Sequence, residues 1–109
     1  MTQVLVVLCT CPDSATAESL ATRLVENRLA ACVNILPEIR SIYRWQNEVQ
    51  QDTETLLVVK TSQETYSQLE SWLIGHHPYD VPEVLALPIE RGAPDYLDWV
   101  IQETMQTGG

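Results

Sequence analysis

The chain has 109 residues, of which 45% are hydrophobic and 19% are charged, so we expect one compact domain and not a disordered chain. Six Lys and Arg residues stand against fifteen Asp and Glu residues, and the formal net charge is −9. Because this acidic chain has no basic stripe, we expect no nucleic-acid partner. The first apolar run, at 4–8, is too short to span a bilayer and lacks the basic flank of a signal peptide. We therefore expect a cytoplasmic protein with no membrane partner.

Hydrophobic periodicity predicts the elements of the first half of the chain. A continuous apolar run at 4–9 is typical of a strand that is covered by other elements. The helical spacing of Ala17, Leu20 and Leu24 predicts a first helix over 14–27, which Asn27 can end in a left-handed conformation. Residues 31–45 form a long second strand with a disturbance at Pro37. A tight turn at residues 46 and 47 then leads into a third strand at 48–61.

The second half continues with two helices and one strand. Tyr66, Leu69 and Leu73 predict the buried face of a second helix that is closed by Gly75. A fourth strand at 81–89 lies between prolines, which favours the edge of a sheet. A last helix begins near Ala93, and residues 107–109 are expected to be a frayed tail. Residues 1–106 therefore form a single domain.

The order of these elements predicts an α+β protein of the ferredoxin-like, split βαβ type with an additional C-terminal helix. In that arrangement the antiparallel sheet has the spatial order 4-1-3-2 and carries its helices on one face. The hairpin from about 38 to 55 is longer than a small domain needs, since strands usually have about 5–6 residues. It carries Tyr43 and Trp45 on one face. Exposed aromatic side chains on such an arm favour a homo-oligomer over a monomer.

The first candidate site is a possible metal centre at one end of the sheet. His76 and His77 precede the fourth strand and Cys9 ends the first strand, and these two strands are neighbours in the predicted sheet. Thiolate and imidazole ligands suit copper or zinc. Cys11, expected in the loop before the first helix, is a possible additional ligand. Cys32 lies at the opposite end of the sheet, and we interpret it as a buried apolar residue. The alternative is that Cys9 is a core thiol and the histidines belong to a rigid connection.

Six sequence runs in this order resemble the CutA family of divalent-cation tolerance proteins over essentially the whole chain. They are VLCTCPD at 7–13, LAACVNI at 29–35, SIYRW at 41–45, LLVVKT at 56–61, HPYDVPE at 77–83 and YLDW at 96–99. The resemblance implies a ferredoxin-like subunit that forms a cytoplasmic homotrimer through long hairpin arms. It also implies a link to copper tolerance, with copper as Cu(II) or Cu(I), or zinc or another divalent cation, as the bound ion. The family's copper ligands fall on Cys9, His76 and His77.

Two other function classes remain open. A signalling or small-ligand-binding trimer would hold its ligand in clefts between subunits, because the architecture is similar to that of nitrogen-regulatory signal proteins. Possible cleft residues are Lys60, Tyr79, Asp80, Glu83, Tyr96 and Trp99. No glycine-rich phosphate loop is present, which argues against the common nucleotide ligands. A hydrolytic enzyme could use Asp80 and Glu83 as acid and base. Because no nucleophile is evident, we do not expect an enzyme.

Overall fold

The computed structural model describes residues 3–106, so the predicted tail at 107–109 lies outside the described residues. This part of the chain contains four strands and three helices. In chain order they are β1 (Val4–Cys11), α1 (Ser14–Glu26), β2 (Cys32–Trp45), β3 (Glu48–Ser62), α2 (Gln63–His76), β4 (Leu85–Pro88) and α3 (Pro94–Glu103).

The strands form one antiparallel sheet in the order β2-β3-β1-β4. This is the predicted order 4-1-3-2 read from the other edge, and the ferredoxin-like α+β class is confirmed. The central strands β1 and β3 are paired along the whole of β1, from Val4 opposite Ser62 to Cys11 opposite Thr55. The short strand β4 pairs only with the middle of β1, from Leu5 to Leu8.

The two faces of the sheet are covered very differently. Successive side chains of a strand point to opposite faces. The side chains of β1 and β3 that point toward α1 and α2 are fully buried; they include Val7, Cys9, Leu57 and Val59, which pack with Leu20, Leu24, Leu69 and Leu73 of the helices. We call this side the closed face. The opposite, open face carries exposed apolar residues, among them Leu36, Leu85 and Leu87. Helix α3 belongs to a separate apolar cluster with Val4 and Ala31, and at its C-terminal end the Thr65 hydroxyl of α2 donates to the Thr104 carbonyl oxygen.

The β2-β3 hairpin forms the arm that the sequence predicts. Gln46 and Asn47 both have positive φ, at 52° and 65°, which is the geometry of a tight two-residue hairpin turn. The pairing register of β2 with β3 shifts between Leu36 and Ile39, and Glu38 has a positive φ of 59°. The disturbance predicted at Pro37 is therefore a β-bulge, which bends the arm relative to the rest of the sheet.

Element ends differ from the predictions by more than one residue, or in the conformation of the cap, in four places. Strand β1 continues to Cys11, because its ladder with β3 extends to Thr55. Strand β4 is limited to Leu85–Pro88, since Pro82 has no N–H to offer a ladder and the segment before Leu85 leaves the sheet. Two further differences concern helix ends. Helix α2 continues through Gly75 to residue 76, and α1 ends without a left-handed Asn27, whose φ is −90°.

Candidate metal centre and the adjoining cleft

Cys9 and Cys11 share the closed face of the sheet because they are two residues apart in an extended strand. Both side chains are 0% exposed and belong to the main hydrophobic core. The prediction that Cys11 lies in a loop is wrong, and the reason is the extended ladder of β1. As a consequence the second thiol lies inside the protein, on the same face as the first.

His77 reaches the same place from the end of α2. Pro78 disfavours a helical conformation of the preceding residue, and His77 is extended, with φ −77° and ψ 141°. Its Nε2 hydrogen-bonds the Thr10 carbonyl oxygen at 2.8 Å, and the Tyr79 N–H donates to its Nδ1 at 3.1 Å. An Nδ1 that accepts carries no proton, so the ring is neutral and Nε2 is the donor. The imidazole is thereby fixed with 8% of its surface exposed.

Cys9, Cys11 and His77 form a convergent group, here named the thiol cluster. One ligand atom from each lies within 4.8 Å of the others. Within residues 3–106 no second group of three Cys, His, Asp or Glu side chains converges in this way. Two sulfur atoms and one imidazole nitrogen are the donor set that Cu(I) and Zn(II) favour over hard, oxygen-seeking ions. The residues present therefore fit a soft or borderline cation.

The two thiols of the cluster have different acidities. A hydrogen bond between them, and then burial, raises the pKa of Cys9 far above its usual value, and nearby Glu83 and Glu54 act in the same direction. The same hydrogen bond lowers the pKa of Cys11. Cys11 is thus the more acidic of the two thiols, and the Sγ of Cys9 donates to the Thr10 carbonyl oxygen at 3.9 Å. The carboxylates that oppose ionisation of Cys9 would also attract a cation to this end of the sheet.

His76 lies outside the thiol cluster, although it is adjacent to His77 in sequence. It is the last residue of α2 and is exposed, and its Nδ1 hydrogen-bonds the Trp72 carbonyl oxygen at 2.7 Å. Its ring stacks on Trp72 with 4.2 Å between centroids, and Arg23 lies 4.9 Å from the Trp72 ring. The structure therefore places one predicted histidine with the cysteines and leaves the other on the surface.

Cys32 lies toward the opposite end of the sheet from Cys11, as predicted, since it pairs with Lys60 at the start of β2. The prediction that it is buried is wrong, because it is half-buried and not part of the core. Residues that pair directly in an antiparallel sheet point to the same face, so Cys32, Lys60 and Val6 share one face. Val6 is next to Val7, which points to the closed face, so Val6 points to the open face. Cys32 is thus on the open face, away from the thiol cluster, because the alternation of β2 directs it there.

A cleft of about 810 Å³ adjoins the thiol cluster, between the arm and the segment that leads into β4. Its lining comprises Thr10, Arg40, Ser41, Ile42, Tyr43, Trp45, Asp52, Glu54, Pro78, Tyr79, Asp80, Val81 and Glu83. Tyr79 connects the two regions: its ring lies 4.8 Å from that of His77, and its hydroxyl donates to Glu54 Oε2 at 2.7 Å. Burial, and then this hydrogen bond, raises the pKa of Tyr79. On the opposite wall the Tyr43 hydroxyl donates to Asp52.

The predicted cleft residues divide into two groups. Tyr79, Asp80 and Glu83 line this cleft. The remaining three lie elsewhere: Lys60 hydrogen-bonds Asn34 in the sheet, and the Tyr96 and Trp99 rings contact each other on α3 with 5.6 Å between centroids.

The main residue that sequence reasoning missed is Glu54. Glu54 lies where the polar first half of β3 meets its apolar second half. This pattern gives no sign that the residue is only 8% exposed. Its burial depends on Tyr79, which is remote in sequence. No local pattern could have identified it.

None of the helices within residues 3–106 combines the length and the hydrophobicity needed to cross a bilayer.

Comparison with known proteins gives consistent results at the levels of sequence and structure. The family described as CutA1 divalent ion tolerance protein matches residues 5–103. The "Divalent-cation tolerance protein CutA" of Thermus thermophilus is 52% identical over 99 residues, which cover 91% of this chain and 96% of that protein. The "Protein CutA homolog" of Xenopus laevis is 50% identical over 91 residues, 84% of this chain but only 60% of that longer protein.

Solved structures extend the likeness to the fold. The Thermus thermophilus protein titled divalent cation tolerance protein (Cut A1) has a TM-score of 0.90 at 50% identity, and the match covers 96% of this chain and all of that chain. CutA1 of Oryza sativa has a TM-score of 0.92 at 41% identity, with 96% of each chain covered. Sequence and structure therefore point to the same group of proteins.

Proposed function

The chain belongs to the family of CutA1 divalent ion tolerance proteins, and from that premise we propose that it binds copper or a similar soft cation through Cys9, Cys11 and His77. The observation that supports this most strongly is the convergence of two buried thiols and one neutral imidazole at one end of the sheet. Sequestering or sensing such an ion is the role that this proposal gives to the protein in cation tolerance.

The donor set favours particular ions. Thiolate ligands select Cu(I) and Zn(II), whereas Mg(II) and Ca(II) require oxygen ligands. Copper as Cu(I) is therefore the first expectation, zinc the second, and Cu(II) would be favoured less because the cluster offers no oxygen ligand of its own. The core around the sulfur atoms excludes water, which protects a bound soft ion from hydrolysis and exchange.

Binding would change the hydrogen bonds of His77 and the protonation of the thiols. Coordination through Nδ1 would replace the hydrogen bond from the Tyr79 N–H. Coordination through Nε2 would require that nitrogen to lose its proton and its bond to the Thr10 carbonyl oxygen, and a neutral ring would then carry its proton on Nδ1 and lose the bond from Tyr79 as well. A metal-bound cysteine is a thiolate, so the ion must displace the proton of Cys9, whose pKa is raised. Binding should therefore release protons and weaken as the pH falls.

The proposal includes the assembly and the setting of the protein. We expect a cytoplasmic homotrimer that is not an enzyme and that associates through the hairpin arms. The exposed aromatic residues Tyr43 and Trp45 on the arm support association, as does the apolar open face of the sheet. A closed ring of identical chains would cover such surfaces without leaving further edges open.

A competition titration tests the metal proposal. Cu(I) is titrated under reducing conditions against a chromophoric chelator, with wild type, Cys9→Ser, His77→Ala and His76→Ala. We expect saturable binding of one ion per chain and a loss of affinity of at least about 100-fold in Cys9→Ser, since losing even an outer-shell partner of a metal site costs 10–100-fold. His77→Ala should lose at least about tenfold for the same reason.

His76→Ala is the matched control, because it removes the adjacent imidazole but leaves the thiol cluster intact. Its affinity should equal that of wild type. Equal losses in His76→Ala and His77→Ala, or equal affinities in all four proteins, would contradict the proposal. Circular dichroism and the oligomeric state of each variant show whether the buried substitution Cys9→Ser has disturbed the fold instead.

A further inference from the structure

Both ring nitrogens of His77 are engaged in hydrogen bonds. Nε2 carries the proton of the neutral ring and donates to the Thr10 carbonyl oxygen at 2.8 Å, while Nδ1 accepts from the Tyr79 N–H at 3.1 Å. Among residues 3–106 no buried side-chain nitrogen or oxygen atom lacks a hydrogen-bond partner. The imidazole is therefore fully satisfied, and neither of its nitrogens offers a free lone pair to a metal ion.

The bond from the Tyr79 N–H is the one that coordination by His77 removes in every case. A ligating nitrogen needs its lone pair, and the lone pair of Nδ1 is directed to Tyr79. If Nε2 coordinates instead, the neutral ring carries its proton on Nδ1, which then no longer accepts. Coordination through Nδ1 disturbs less, because the bond to Thr10 persists, and metal-bound histidines commonly donate their other N–H to a carbonyl oxygen. Either way, Tyr79 must release His77.

Three contacts hold Tyr79 in place, and they involve different parts of the residue. Its N–H bonds the imidazole of His77, its ring lies 4.8 Å from that imidazole, and its hydroxyl donates to Glu54 Oε2 at 2.7 Å. The last bond ends on a carboxylate of β3 that is itself buried, so it is charge-assisted and anchored to the sheet. A buried N–H without an acceptor is costly, so Tyr79 must shift when it releases His77. Such a shift works against the hydroxyl bond to Glu54.

We propose that Tyr79 is a latch on the thiol cluster, which must open for His77 to coordinate. The latch rests on the proposed function, and it adds a residue that sets the metal affinity without being a ligand. In the latched state the N–H covers Nδ1 and the bond to Glu54 keeps it there. In the released state Tyr79 has withdrawn and Glu54 has lost its donor. Because only the released state is competent to bind, the latch lowers the apparent affinity.

A Cu(I) titration of wild type, Tyr79→Phe and Tyr66→Phe tests the latch on the protein in its native assembly. It is run under reducing conditions against a chromophoric chelator. Tyr79→Phe should bind about tenfold more tightly than wild type, because the deleted hydroxyl bond stabilises only the latched state. The direction of the change is decisive. Truncation of a residue with a merely structural role would weaken binding or leave it unchanged.

Tyr66→Phe is the matched control. The Tyr66 hydroxyl also donates to a carboxylate at 2.7 Å, that of Glu70, but both residues belong to α2 and neither contributes to the thiol cluster. Its affinity should equal that of wild type. Binding that is equally tight in all three proteins, or equally tightened in both variants, would overturn the latch and leave the metal site in place. Absence of binding in all three would overturn the proposed function, and the latch with it.

Amide hydrogen exchange of wild type, measured by NMR, tests the latch without any substitution. The Tyr79 N–H should be protected in the metal-free protein, because it bonds a buried acceptor. After loading with Cu(I) it should exchange at least about tenfold faster, because that acceptor is lost. A Tyr79 amide that is unprotected in the metal-free protein, or equally protected with and without Cu(I), would overturn the latch.

Discussion

The two faces of the sheet are built from alternate residues of the same strands, yet they end in opposite states. On the closed face Val7, Cys9 and Leu57 are fully buried under α1 and α2. On the open face Leu85 and Leu87 remain 57% and 51% exposed. The chain therefore completes the thiol cluster by itself, because that cluster belongs to the closed face. The apolar residues of the open face can be covered only by something beyond one chain. Folding of one chain therefore accounts for the closed face, whereas covering the open face would require assembly.

The largest expected effect concerns the arm. Trp45→Asp should convert the proposed trimer into monomers, because a charge would be buried without a partner at the proposed aromatic contact. Val25→Asp is a matched control: Val25 is 42% exposed on α1 and Trp45 is 46% exposed on β2. Light scattering after size-exclusion chromatography measures the mass of both. A trimer that survives Trp45→Asp would show that the arm is not the interface.

The reaction rates of the three thiols with one reagent compare the accessibility of the two faces. Cys9 and Cys11 are buried on the closed face, whereas Cys32 is half-buried on the open face. With a disulfide reagent added to the native protein, Cys32 should react at least about 100-fold faster than the other two, because buried thiols react only when the structure opens. Cys32→Ser should remove the fast phase.

The same experiment distinguishes folding from assembly. In Trp45→Asp the reaction rate of Cys32 with the reagent should increase, because the open face becomes accessible. The reaction rates of Cys9 and Cys11 should change much less. A fast phase with an amplitude of two or three thiols would contradict the burial of the thiol cluster.

A smaller effect is expected from Tyr79 at alkaline pH. Burial and its hydrogen bond to Glu54 raise its pKa, so the folded chain keeps this proton at a pH at which the unfolded chain loses it. Its contribution to stability is fully present below about pH 10, the pKa of an unfolded tyrosine, and is lost as the pH rises beyond that. Tyr79→Phe removes this dependence and should reduce the fall in unfolding free energy above about pH 10 by no more than about 1.4 kcal/mol per pH unit. Urea unfolding of wild type and Tyr79→Phe at about pH 9 and pH 11 measures this fall in unfolding free energy. An equal fall between the two pH values in both proteins would contradict the prediction.

The arrangement of elements could be predicted from sequence because each depends on a local pattern. The apolar run of β1, the helical spacing in α1 and the turn at Asn47 each restrict the chain to one type of element. Their order then leaves few possible sheets. The end of β1 at Cys11 could not be predicted in the same way, since it is set by pairing with Thr55, which is remote in sequence.

The candidate site was predictable only in part, for the same physical reason. Along a strand, successive side chains point alternately to the two faces of the sheet. Cys9 and Cys11 therefore point to the same face once β1 extends to Cys11. At a helix end the directions of neighbouring side chains depend on where the helix stops. His76 is still helical and stacks on Trp72, while His77 is extended and enters the thiol cluster. The burial of Glu54 depends on Tyr79 and on no local pattern at all.

X-ray absorption spectroscopy of the Cu(I)-loaded protein tests most directly that the closed face holds the soft-metal site. It reads the ligands of the ion in the native protein and does not depend on whether a variant folds. The thiol cluster predicts two sulfur ligands and one imidazole nitrogen for each copper ion, in wild type and equally in His76→Ala. A spectrum with one sulfur and two imidazoles, or with oxygen and nitrogen ligands alone, would contradict the site formed by Cys9, Cys11 and His77.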